Sequence, residues 1–112
     1  MKYLCLVYLE PGDRHAVPDR ECLAASVALR AGGQVIAAEA LHPAEIATTL
    51  RLRDGALSMT DGPYAETKEQ LAGFYLFEAR DLDEALALAA QIPPVRVGSI
   101  EVRPVRELDP NG

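Results

Sequence analysis

The sequence predicts a single α+β domain, and three observations carry that prediction. The segments Lys2–Leu9 and Leu71–Ala79 are apolar on both parities, as strands in the middle of a sheet are. The stretches Pro18–Ala31 and Asp81–Pro93 instead repeat apolar residues at helical spacing. Between them "TTLRLRDGALSMT", residues 48–60, alternates apolar and polar on both sides of an Asp-Gly corner.

Each element follows from its own residues. Lys2–Leu9 is rich in Tyr, Leu and Val and closes on Pro11-Gly12. In the first helical stretch Leu23, Val27 and Ala31 form a stripe at i, i+4 and i+8, expected to face the core, and Gly32-Gly33 ends it. Gln34–Leu41, with Val35 and Ile36, reads as the next strand. In the hairpin, the two-residue turn Asp54-Gly55 sets Leu52 opposite Leu57 and Leu50 opposite Met59, giving one apolar face. Leu71–Ala79, with Phe74, Tyr75 and Phe77, is a central strand. Asp81 caps the second helix with Glu84 as capping-box partner, Leu82, Leu86 and Ala89 are its expected buried stripe, and Pro93-Pro94 ends it. Val97–Val105 sets Ile100 and Val102 against Glu101 and Arg103, and Pro104 confines it to an edge or a strand end.

The order β, α, β, hairpin, β, α, β is the split βαβ plan of a ferredoxin-like sandwich with an inserted hairpin. Its domain spans residues 1–106, and residues 107–112 form a polar tail. Two helices cover one face of such a sheet, yet both central strands are apolar on both faces. The simplest cover for the second face is the same sheet of another copy, which predicts a homodimer.

Composition excludes several classes of function. A net charge of −6 and a pI near 4.8 leave no basic surface for nucleic acid or anionic membrane. No apolar run approaches the roughly 18 residues that span a bilayer, and no small-residue cleavage site follows the apolar N-terminus. Cys5 and Cys22 lack metal-ligand spacing and read as free thiols, which places the chain in the cytoplasm. There is no Gly-rich phosphate loop, no Ser-His-Asp candidate and no HExxH, so no cofactor and no metal is expected.

Residues 61–69, "DGPYAETKE", resemble the signature of the YCII-related family in its DGPF branch, with Tyr64 where phenylalanine is usual. The resemblance extends through "AAEALHP", "TTLRLRDG", "EARDLDEALALAAQIP" and "GSIEVRPV", nearly the whole chain. It implies a dimeric α+β barrel, related in architecture to muconolactone isomerases and small monooxygenases of that shape. For function it implies little beyond relatives that act on lactones, chloromuconolactone dehalogenation among them. Some DGPF-type proteins are encoded beside or fused to alternative sigma factors, so a sigma factor enters as a partner by family association alone. Better-studied members use a His–Asp pair with the histidine on the first helix. The helix PDRECLAASVALRA has none, and Cys22 stands at about that place, which puts the mechanism in doubt here.

The candidate site residues gather around the signature. Asp61 suits a general acid or base where burial raises its pKa; the bland reading is an Asp-Gly-Pro turn bonded to its own backbone. Tyr64 offers a ring and a hydroxyl at the corner, for substrate or for packing. Lys68 is a cation that can bind an anionic ligand or tune Asp61, with Glu66 holding it, or a member of a solvated cluster with Glu69. His42, at the end of the second strand, has a side chain suited to proton transfer, though a lone histidine there is more often simply exposed. Glu39 and Arg51 can point into the same space, Arg51 as a fork for a carboxylate, or can pair with each other.

Two functional readings follow. In the first, a pocket between helices and sheet near residues 61–64 binds a small, anionic or lactone-like molecule. Any catalysis there is cofactor-free proton transfer of isomerase or lyase type, with Asp61 as acid/base and His42 or Lys68 assisting. In the second, the chain is a ligand-sensing or partner-docking module without activity. Whether it is an enzyme stays open at the level of sequence.

Overall fold

A computed structural model describes residues 1–112. Six strands and two helices follow in the expected order: β1 (Lys2–Leu9), α1 (Asp19–Ala31), β2 (Val35–Ala40), β3 (Thr48–Arg53), β4 (Ala56–Asp61), β5 (Gln70–Glu78), α2 (Leu82–Ala89) and β6 (Ser99–Pro104). Four strands form one antiparallel sheet in the order β2-β5-β1-β6, with the two fully apolar segments in its middle. That is the ferredoxin-like order. Strands β3 and β4 form a separate two-stranded sheet.

Alternation along β1 divides its side chains between two environments. Tyr3, Cys5, Val7 and Leu9 are buried beneath the helices, while Leu4, Leu6 and Tyr8 are only half-buried on the opposite face. Register extends this division across the sheet: Phe77 lies beside Tyr3 and Val102 beside Cys5, whereas Leu76 and Phe74 lie beside Leu4 and Leu6. The core therefore has one side only. It consists of Tyr3, Cys5, Val7 and Phe77 packed against Leu29 of α1 and Ala85, Leu88 and Ala89 of α2.

Both helices turn a different face inward from the one the stripes predict. Leu23 and Val27 are exposed, and α1 rests on the sheet through Leu29 with Cys22, Ala25 and Ser26 partly covered. In α2 Ala89 is buried as predicted, but its companions are Ala85 and Leu88, while Leu82 and Leu86 face out. In α2 the small residues Ala85 and Ala89 let the helix approach the sheet closely, and close approach completes the contacts of Phe77 and Cys5. A stripe of larger apolar residues is then left over on each helix. The cap of α2 is as expected at its first half: Asp81 Oδ1 accepts from the Glu84 backbone N–H at 2.9 Å. Glu84 Oε1 returns the bond one residue early, accepting from the Arg80 N–H at 3.0 Å.

The hairpin has the register its sequence specifies, Leu52 opposite Leu57 and Leu50 opposite Met59. Its turn places Asp54 and Gly55 at φ 50° and 74°, the left-handed pair a two-residue hairpin requires. At the root the hairpin's own ladder runs one step further, the Gly62 N–H donating to Ala47 O at 2.7 Å and Thr49 Oγ1 donating to Gly62 O at 2.9 Å. Leu50, Leu52, Leu57 and Met59 remain 60% to 74% exposed. This projection gives the chain a flat, spread shape of 47 × 44 × 19 Å. Its radius of gyration is 16.0 Å, against about 13 Å for a compact chain of this length.

Candidate functional site

The residues singled out by the signature do not converge. Asp61 ends β4 exposed, beside a shallow hollow of about 420 Å³ that it shares with Gly62, Pro63, Glu66 and Glu45. Tyr64 is exposed, and the Arg51 guanidinium lies 5.7 Å from its ring centroid, a cation–π contact across the root of the hairpin. Lys68 Nζ pairs with Glu10 Oε1 at 3.4 Å rather than with Glu66. His42 is exposed in the link after β2 and borders neither this hollow nor the larger cavity. Glu39 makes no ion pair with Arg51. Its register opposite Phe74 puts its side chain on the open face of the sheet. The structure thus brings Arg51 to Tyr64 and keeps Asp61, His42, Glu39 and Lys68 apart.

The larger cavity lies elsewhere, between α1 and the covered face of the sheet on the β2 side, with a volume of about 760 Å³. It opens because α1 is anchored near its C-terminal end at Leu29 and is less tightly packed toward Cys22. Val7, Ala38, Ala40 and Tyr75 come from the sheet side, and Val17 and Pro93 close one end. Gly73 on β5 is buried beside it: a Cβ there would come within 2.8 Å of the Glu39 carbonyl oxygen, so the close approach of β2 requires glycine. Leu23 and Val27 edge the mouth at 67% and 70% exposed. The cleft is of small-molecule size and mainly apolar.

Two arginines stand at its rim. Arg14 Nη2 donates to Leu41 O at 2.9 Å, just beyond the end of β2. Arg30 donates from Nε to Ser26 Oγ at 3.2 Å and from Nη2 to Ala38 O at 3.4 Å. Neither is paired with a carboxylate, although Asp19 and Glu39 also line the cleft, so carbonyls in and just beyond β2 hold two guanidinium groups over a mainly apolar cavity. His15 lines the same cleft from the loop before α1. None of the three, His15, Arg14 or Arg30, is among the candidates that the sequence offers. The only local signal was the pair Arg14-His15 between a glycine corner and Pro18.

Cys22 also lines the cleft, at the place where the resemblance puts a histidine. Burial raises its thiol pKa, and the neighbouring Asp19 and Glu21 charges raise it further. The sulfur therefore stays protonated near neutral pH and does not take over a histidine's role as base. No group of three or more His, Cys, Asp or Glu side chains is arranged to hold a metal ion.

A two-layer α+β chain with a small-molecule cleft between its first helix and its sheet is the class these features define. The chain belongs to the YCII-related family, whose domain matches residues 1–109. It is similar to an uncharacterised protein of Rhizobium meliloti (strain 1021), 49% identical over 67 residues. That match covers 58% of this chain and 54% of the relative, so it spans about half the relative's length. Among solved structures it is similar to 5-chloro-2-hydroxyhydroquinone dehydrochlorinase from Burkholderia phenoliruptrix AC1100, in complex with 2,5-dihydroxybenzoquinone, with a TM-score of 0.57. The alignment covers 95% of this chain and 94% of the other at 18% identity, a likeness of fold. No helix is long and apolar enough to cross a membrane.

Proposed function

We propose that the chain is a homodimeric binder of small anionic ring compounds, with the ligand held in the cleft between α1 and the sheet. One observation carries the reading: two arginines without acidic partners are fixed at the rim of an apolar cavity of about 760 Å³. An apolar ring fills the floor, and a carboxylate, enolate or phenolate on it meets the guanidinium forks. The solved relative binds a dihydroxybenzoquinone, a planar ring with ionisable oxygens, which is the same ligand chemistry. Where the bound ring is turned over, isomerisation or elimination needs a proton carrier. In this reading His15 serves, being the histidine that borders the cleft. The dimer forms sheet to sheet, covering Leu4, Leu6, Tyr8, Phe74 and Leu76.

Isothermal calorimetry with 2,5-dihydroxybenzoquinone and a panel of small ring acids and lactones tests the reading. Arg30→Ala and Arg14→Ala should each weaken binding roughly tenfold to a hundredfold, the worth of a charge-assisted hydrogen bond. Asp61→Asn should leave affinity unchanged. Loss of binding on Asp61→Asn with both arginine variants unaffected would move the site to the corner at residues 61–64. Absence of binding by every compound would remove the ligand class.

A further inference from the structure

The hairpin β3–β4 is built like a buried element and sits like an exposed one. A two-stranded hairpin alone in water is marginal at best, and this one leaves its whole apolar face, Leu50, Leu52, Leu57 and Met59, in solvent. Something outside the single chain must cover it. The surface area says how much is missing. A compact monomer of 12.1 kDa exposes about 6,000 Å², whereas this chain exposes 7893 Å², an excess of about 1,900 Å². Part of that excess belongs to the tail after Pro104. The remainder is on the scale of the 1,000–2,500 Å² or so that each subunit buries in an obligate homodimer. A second copy of this chain is the occupant that the area fits.

We infer that the hairpin is an arm that crosses to the second copy and lays its apolar face on the partner's α1, closing the mouth of the partner's cleft. The inference rests on the sheet-to-sheet dimer proposed above and adds a second contact to it. Outside the arm, Tyr64, Leu108, Val27, Leu23 and Ile46 are the most exposed large apolar side chains, and of these Leu23 and Val27, at 67% and 70%, are the two that lie side by side on a helix, one turn apart at the cleft mouth. Two apolar patches, each uncovered in its own chain, are thereby matched. The length also suffices once the hairpin, which lies in the plane of the 19 Å-thick chain, turns at its root toward the partner: a strand of six residues, as β3 and β4 both are, spans about 20 Å. Going from one sheet past the partner's sheet to its helix layer takes two layer spacings of about 10 Å each. In this arrangement each ligand cleft is walled by two chains.

The test mixes two single-cysteine proteins, both in a Cys22→Ser background where the remaining Cys5 is buried. One carries Met59→Cys and the other, of different tagged mass, carries Val27→Cys. A short bis-maleimide should link them into a mixed pair, and Leu52→Glu with Leu57→Glu should abolish the link. Sedimentation equilibrium reads the second arm of the experiment. The charged hairpin should weaken the dimer at least tenfold, while Leu6→Arg on the open sheet face should leave monomer only. A wild-type dimer with no mixed cross-link, or with a dissociation constant unmoved by the charged hairpin, overturns the arm and leaves the sheet-to-sheet dimer standing. A wild-type chain that is monomeric at every concentration removes both.

Discussion

The middle of the sheet and the hairpin are written in nearly the same alphabet and meet opposite fates. In β1 and β5 the apolar residues facing the helices include Cys5 and Phe77, both 0% exposed; in β3 and β4 four comparable side chains lie in solvent. On the two faces compared, apolar residues recur at every second position, and both sets of strands are paired antiparallel. Alternation fixes that a face is to be covered, and it carries no information about which chain covers it. The difference teaches that one region closes on its own chain's helices and the other waits for a surface that its own chain lacks.

The largest expected effect breaks that comparison at its buried end. Phe77→Ala opens a cavity in the one-sided core and should cost about 3–5 kcal/mol. In urea the midpoint should fall by the same amount at every protein concentration. Leu52→Ala or Met59→Ala should instead leave the dilute chain as stable as before. Their loss should appear only as protein concentration rises, where association stabilises the wild type by mass action. A concentration-independent loss from the hairpin variants would mean that the hairpin is packed within its own chain.

A smaller effect sharpens the same contrast through pH. Burial pushes the Cys5 thiol from 9.0 to about 11. The folded chain therefore holds a proton that the unfolded chain releases earlier. This contribution is complete below pH 9 and is lost as pH rises through about 11. Its size is on the order of 3 kcal/mol. Thermal melts of the wild type and Cys5→Ala should show a gap that narrows across this window. A gap of constant width would place the thiol in a solvated environment. At neutral pH a thiol reagent should label Cys22 and spare Cys5 until the chain unfolds.

Element order, strand register and the capping residue were legible in the sequence because each is written in neighbouring residues. The turn at Asp54-Gly55 sets Leu52 against Leu57 without help from the rest of the chain. The inward faces of the helices were not. In α1 the residues Cys22, Leu23, Ser26 and Val27 all lie at helical spacing, and only the sheet decides that the smaller pair turns toward it. The cleft was less legible still. Its wall joins Val7, Arg14, Arg30, Ala38, Tyr75 and Pro93, residues from six separate parts of the chain that no local motif links. The signature at residues 61–69 drew attention to itself by composition, while Arg14 and His15 lay in a stretch that reads as an ordinary loop.

The smallest effect concerns the helix side, where the cap of α2 holds a short helix of eight residues against the covered face. The Glu84 backbone N–H, bonded to Asp81, lowers that carboxyl below its ordinary 3.8, and Arg80 lowers it further. A depressed folded pKa means that the stabilisation is present above the ordinary carboxylate value and is lost as pH falls through the lower folded one. Asp81→Ala should therefore melt slightly earlier than the wild type at neutral pH and converge with it in strong acid. Asp81→Asn keeps an acceptor for the Glu84 N–H and gives up only the charge that faces Arg80 and the helix dipole. Its melting temperature should fall between the two. If Asn is as harmful as Ala, the charge and not the hydrogen bond holds the end of α2. Either result should be independent of protein concentration, because the cap lies on the side of the sheet that the chain closes by itself.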